Sequence, residues 1–126
     1  MDPQLSAVGI ILYVEPEKVN DAVAFYKAAF DAVEANDPYF AAQVIIGGTV
    51  YLIEYHEDPS DLTGSATTVG VADVAATVQK AVSAGAVEEE LDEFAPTYAG
   101  QHIVKLRDPF GYVWYICEGK SLAKLQ

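Results

Sequence analysis

The stretch Asp108-Pro109-Phe110-Gly111-Tyr112-Val113-Trp114 constrains this chain more than any other. Asp108, Pro109 and Gly111 fit positions i, i+1 and i+3 of a type I turn, where proline presets φ and glycine relaxes the exit. Strand-forming residues flank the turn, with Ile103, Val104 and Leu106 before it and Tyr112 to Cys117 after it. The spacing predicts a β-hairpin closed by a four-residue turn. A chain that ends in such a hairpin needs further strands or a helix to cover it, because an isolated hairpin is marginal in water.

Those further elements are legible upstream. Val8 to Val14 is a short apolar run rich in β-formers and predicts a buried strand. Glu15-Pro16-Glu17 breaks it and suits a helix entrance, where the dipole favours acids. From there the spacing turns helical: Val19, Val23, Tyr26, Phe30 and Val33 form one stripe, with Ala22 and Ala29 beside them. A helix over 17–34 is expected, ended by Asn36-Asp37-Pro38. Strands are predicted at Tyr39 to Ile46 and Val50 to His56, around the turn Gly47-Gly48-Thr49. The loop Glu57 to Ser65 is the best candidate for a linker between halves.

The plan then repeats. Ala66 to Ala72 reads as a strand, Asp73 as an N-cap, and Val74, Val78, Ala81 and Val82 as the stripe of a second helix that Gly85 closes. Val87 to Phe94 is at best a solvated edge strand, because it carries Glu88-Glu89-Glu90 and Asp92-Glu93. At an offset of 54 residues, Ala22 matches Ala76 and Ala32-Val33-Glu34 matches Ala86-Val87-Glu88. Two modules of βαβββ order in one α+β domain are the simplest account.

Bulk properties exclude several functions. A chain of 126 residues fits one domain, and one of this size buries roughly 65% of its unfolded surface without staples. Cys117 is the only cysteine, so no intrachain disulfide is available and a reducing compartment is favoured. Met1-Asp2-Pro3-Gln4 lacks a basic n-region, and the longest apolar run falls far short of the ~20 residues that span a bilayer. A cytoplasmic protein is expected. The net charge of −12 argues against nucleic acid and anionic membranes as partners. It serves solubility first, and it also attracts a cationic ligand.

The end motif Asp108-Pro109-Phe110-Gly111-x-x-Trp114, the helix Ala22-Val23-Ala24-Phe25-Tyr26-Lys27-Ala28-Ala29-Phe30 and the Gly47-Gly48 turn resemble the vicinal oxygen chelate superfamily, the glyoxalase, bleomycin-resistance and extradiol-dioxygenase group, and within it the PhnB-like branch. The resemblance runs from about Val8 to Glu118. It implies a single glyoxalase/bleomycin-resistance-like domain with modules at about 7–57 and 65–118, curved sheets around a cavity, helices on the convex side and a homodimer. Metal-dependent members place His or Glu at positions that correspond here to Gly9, Leu52, Ala66 (or Thr67) and Tyr115. Glycine, leucine and alanine have no donor atom, and tyrosine is a poor ligand beside imidazole and carboxylate. No metal and no other cofactor is therefore expected.

Strand alternation assigns faces. Ile10, Leu12 and Val14 should face the helix, and Gly9, Ile11 and Tyr13 the cavity. Val50, Leu52, Glu54, Val113, Tyr115 and Cys117 should face the cavity, with Trp114 and Ile116 against the helix. The expected ligand-binding set is Ile11, Tyr13, Leu52, Glu54, Val113 and Tyr115, with Tyr98 closing over the mouth. Tyr13 and Tyr115 read equally well as barrel filling. Three functions stay open: reversible binding of a partly aromatic, preferably cationic molecule, as in antibiotic sequestration; a glyoxalase-type lyase, epimerase or dioxygenase with a site rebuilt around Glu54 and His56; and a structural or regulatory dimer with no ligand. His56 also reads as a solvated strand end, His102 has no local carboxylate, and Cys117 reads as buried.

Overall fold

A computed structural model describes residues 9–35, 41–57, 66–91 and 103–119. The first module runs β1 (Ile10–Val14), a 3-10 turn (Pro16–Lys18), α1 (Val19–Phe30), β2 (Val33–Ala35), β3 (Ala42–Ile46) and β4 (Thr49–Tyr55). The second repeats the order with β5 (Ala66–Val71), α2 (Val74–Ser83), β6 (Val87–Glu89), β7 (Val104–Arg107) and β8 (Val113–Glu118). Each module forms a four-stranded mixed sheet, ordered β1-β4-β3-β2 and β5-β8-β7-β6. Its first and last strands pair in parallel and the others antiparallel. The expected α+β fold of two βαβββ modules is the observed one.

Local chemistry explains most boundaries. Gly47 and Gly48 both take positive φ, 56° and 86°, as a two-residue hairpin requires. The Asp73 carboxylate accepts the Ala76 N–H at 3.0 Å and caps α2. Gly85 sits at φ 121°, and a side chain there would also strike the Pro109 ring. The acidic β6 is held as an edge strand by charge. Glu89 takes the Arg107 guanidinium at 2.8 Å and the Lys105 ammonium at 3.5 Å, and the arginine holds its carboxyl below the usual range.

Four expectations need correction. The first helix stops at Phe30, because Asp31 turns into the left-handed region at φ 54° and Ala32 N–H closes the end on Tyr26 O at 3.2 Å. Val33–Ala35 then pairs with β3 as strand, so Val33 leaves the helical stripe and is 62% exposed. Val82 lies past the edge of the α2 stripe and Ile10 ahead of the part of β1 that meets the core, and both are exposed. Tyr39, Phe40 and 120–126 lie outside the described residues.

The two sheets share one core. Leu12, Val14, Val44, Ile46, Tyr51 and Ile53 from the first sheet join Val104, Leu106, Trp114 and Ile116 from the second, with Ala22, Tyr26 and Ala29 of α1 and Val74 and Ala81 of α2 among them. Trp114 lies at the centre, its ring 4.9 Å from Phe30, 5.5 Å from Tyr51 and 5.6 Å from Tyr26. Both sheets therefore turn their helix-covered faces toward each other, and alternation turns their other faces outward.

Asp108 pins this core. Its buried carboxylate accepts N–H groups from Phe110 at 2.9 Å and Tyr112 at 3.0 Å on one oxygen, and the Tyr26 hydroxyl and the Trp114 indole N–H at 3.0 Å on the other. Asparagine would turn an N–H group toward the indole N–H and leave that donor unsatisfied. Asp108→Asn is expected to lower stability by roughly 3 kcal/mol in urea titrations, and a loss below about 0.5 kcal/mol would show that the carboxylate is dispensable.

Burial pushes the phenols of Tyr26, Tyr51 and Tyr112 above their ordinary value of 10.0, and Asp108 adds to the effect at Tyr26. The folded state then holds these protons more tightly than the unfolded one. Their stability contribution is complete below pH 10.0 and is lost as pH rises above it. Thermal melts should show a Tm that falls steeply above pH 10, and the decline should be shallower in Tyr26→Phe.

Candidate functional site

The outer face of the first sheet gathers four of the residues expected to bind ligand. The β1–β4 register sets Ile11 beside Leu52 and Tyr13 beside Glu54. Ile11 is 40% exposed, Tyr13 and Glu54 are half-buried, and Leu52 is 3% exposed, so Leu52 is a floor rather than a wall. Glu54 accepts the Tyr55 N–H at 3.0 Å, which leaves its second oxygen out of that bond. The Tyr13 ring meets the exposed His56 ring edge-on at 5.9 Å. An aromatic face beside a carboxylate is a chemistry that suits a cation.

The outer face of the second sheet carries Val113, Tyr115 and Cys117, which pack with Ile103 in a small separate cluster. Tyr115 is 7% exposed, so most of its ring is packed. The fully buried Cys117 thiol donates to Val69 O at 3.6 Å, and burial pushes its pKa up, so it is no nucleophile at neutral pH. Tyr98 and His102 lie outside the described residues.

One chain thus brings together Ile11, Tyr13, Leu52 and Glu54, and separately Val113 and Tyr115. It does not join the two groups, because the shared core lies between the sheets and the two outer faces turn away from it. Three of the positions expected to correspond to the family's metal ligands offer no coordinating side chain. Gly9, Leu52 and Ala66 carry no donor, and a Cβ on Gly9 would lie 3.1 Å from Leu52 Cγ and 3.0 Å from Val50 O. Among the described residues no three His, Cys, Asp or Glu side chains cluster to replace them.

A cleft between the modules was not foreseen from the sequence. It has a volume of about 550 Å³ and is lined by Phe30, Ile46, Tyr51, Thr67, Thr68 and Thr77, among others. β5 is the edge among the described strands of its sheet and lines one wall with 67–71. Asp31 and Lys80, which also line the cleft, join α1 to α2 through an ion pair at 3.2 Å. None of the expected ligand-binding residues among the described ones lines it. The one sequence signal was the polar pair Thr67-Thr68 in the stretch read as a strand.

Comparison with known proteins places the chain. The two halves match the models of the glyoxalase At5g48480-like N-terminal domain at residues 11–42 and of its C-terminal domain at residues 66–117. The Arabidopsis thaliana protein At5g48480 is 31% identical over 135 residues, covering 89% of this chain and 78% of that protein. An X-ray structure of that gene product superposes with a TM-score of 0.75 at 32% identity, over 90% of this chain and 99% of the other. The fosfomycin resistance protein FosX of Listeria monocytogenes, complexed with Mn(II) and sulfate, shares the fold at a TM-score of 0.72 and 16% identity over the whole of both chains. A glyoxalase/bleomycin resistance protein/dioxygenase family enzyme of Burkholderia phytofirmans does so at 0.61 and 19%, over 86% of this chain and 94% of that one. No helix among the described residues is long and apolar enough to cross a membrane. With both halves matched and a relative of this identity aligned over most of its length, the chain belongs to the glyoxalase At5g48480-like family of the vicinal oxygen chelate superfamily.

Proposed function

We propose that this protein binds a small, partly aromatic and preferably cationic molecule reversibly, without a metal at the family's coordinating positions. The observation that carries this reading is Tyr13 beside Glu54 on the outer face of β1 and β4, next to the exposed Ile11. Ile11 and Leu52 would supply apolar contact, and Tyr13 a face worth about 0.5–2 kcal/mol to a cation, depending on desolvation. Glu54 would supply charge selectivity, and the net charge of −12 would speed the cation's approach at low salt. Val113 and Tyr115 would complete the pocket and Tyr98 would close it. The glyoxalase/bleomycin-resistance domain, with modules at about 7–57 and 65–118, would be the binding unit. The Asp-Pro-Phe-Gly-x-x-Trp ending supports a place near the PhnB-like branch, and the single cysteine a cytoplasmic setting.

The same reading calls for a homodimer. Tyr13 and Glu54 lie on one sheet and Val113 and Tyr115 on the other, with the core between, so a second copy is what would bring one group onto the other. Apolar Ile10 and Ile11, both exposed on β1, favour such a contact. Sedimentation at physiological salt should give a species of twice 13.5 kDa, and a clean monomer would remove the composite pocket.

The ligand is tested by a thermal-shift screen of cationic aromatics such as benzyltrimethylammonium against neutral ones such as benzyl alcohol. The cation should give the larger shift, and Glu54→Gln should weaken its binding roughly five- to tenfold. Equal shifts for both, or full binding in Glu54→Gln and Tyr13→Ala, would locate the site elsewhere. Titration with Zn²⁺, Ni²⁺ and Mn²⁺ should show no stoichiometric site. A tight site lost in Glu54→Ala or His56→Ala would favour the lyase, epimerase or dioxygenase reading instead.

A further inference from the structure

The Tyr112 phenol reaches back 99 residues to β1. Its oxygen accepts the Tyr13 N–H at 2.6 Å, and its O–H donates to the Tyr13 carbonyl at 3.0 Å. Among the described strands β1 is an edge with β4 as its one neighbour, and these Tyr13 backbone groups lie on the side of β1 away from β4. One hydroxyl fills both, using its donor and an acceptor lone pair together. Burial raises the Tyr112 pKa, so the hydroxyl keeps its proton at neutral pH and can do both.

The phenol is itself held firmly. Tyr112 is 2% exposed. Its N–H donates to the Asp108 carboxylate at 3.0 Å, and its carbonyl accepts the Asp108 N–H at 2.9 Å. The hairpin turn of the second module therefore ends in a rigid arm whose tip grips the first module at Tyr13, the residue that pairs with Glu54 in the β1–β4 register. An unpaired edge strand frays or recruits another strand when its backbone groups are open. Filling them at Tyr13 does neither and leaves the Tyr13 side chain directed to the outer face.

We propose that Tyr112 is a positioning residue for the ligand face of β1: its hydroxyl clamps the Tyr13 backbone and so sets the Tyr13 ring against Glu54. The ligand part of this inference rests on the function proposed above, and the clamp on Tyr13 does not. Tyr112→Phe keeps the ring and deletes the hydroxyl. In that variant the Tyr13 amide should exchange with solvent about tenfold faster or more, while the amides of Leu106 and Ile116 keep their wild-type rates. The Tyr13 ring resonances should shift as well. Tyr51→Phe removes another phenol hydroxyl of the shared core, one that bonds Thr67, and should leave the Tyr13 amide unchanged. An unchanged Tyr13 exchange rate in Tyr112→Phe overturns the clamp, as does a uniform rise at all three amides.

Binding provides the second readout. The affinity for benzyltrimethylammonium should fall about threefold or more in Tyr112→Phe, and this loss should vanish when Tyr13→Ala is already present. Losses that simply add across the two substitutions overturn positioning through Tyr13. Absence of probe binding to the wild-type protein overturns the proposed ligand class, and the exchange rates and ring shifts then decide the clamp by themselves.

Discussion

The Asp108 carboxylate sits between the two modules and accepts four donors: two N–H groups of its own turn, the Tyr26 hydroxyl of α1 and the Trp114 indole. A buried charge costs several kcal/mol unless such donors surround it. Here they come from three places that must be brought together, so the charge is tolerable only in the assembled fold. The turn cannot open without releasing Phe110 and Tyr112, and α1 cannot shift without stranding Tyr26. The Asp-Pro-Phe-Gly-x-x-Trp pattern is thus a structural device. Proline and glycine shape the turn, aspartate satisfies it, and tryptophan three residues beyond the glycine returns to the same carboxylate.

The location of the core follows from this pin. α1 is drawn against Trp114 of the opposite module, and α2 packs against α1, so both helices lie between the sheets. A layered core of this kind uses one face of each sheet and leaves the other face out of it. The outer faces remain partly apolar, with Ile11 and Tyr13 accessible on one and Val113 half-buried on the other. The described side chains expected to bind ligand are consequently divided between two surfaces in one chain. The charge of −12 has little bearing on the core and acts at the surface, where it favours the approach of cations over anions.

Where a residue's role depends on its near neighbours in the chain, the sequence alone determined it. Asp73 was readable as a cap because it bonds three residues on, and Gly47-Gly48 as a turn because only positive φ closes so short a loop. The alternation that placed Leu12, Val14, Trp114 and Ile116 inward and Ile11, Tyr13 and Tyr115 outward is likewise a period-two property of the strand. The absence of donors at Gly9, Leu52 and Ala66 needed only their identities.

The tertiary structure decided whatever depends on distant partners. Val33 fits a helical stripe and a strand equally well by pattern, and pairing with β3 chose the strand once Asp31 had turned left-handed. Nothing local shows that Leu52 and Tyr115 are nearly covered while Ile11 is open, since burial depends on what packs above each face. The inter-module cleft is made by elements of both halves, and the Tyr112 hydroxyl meets Tyr13 across 99 residues. A sequence records which groups can bond and where the backbone can turn. Which of them meet across the chain is settled only by packing, where two sheets compete for the same pair of helices and one carboxylate holds them in place.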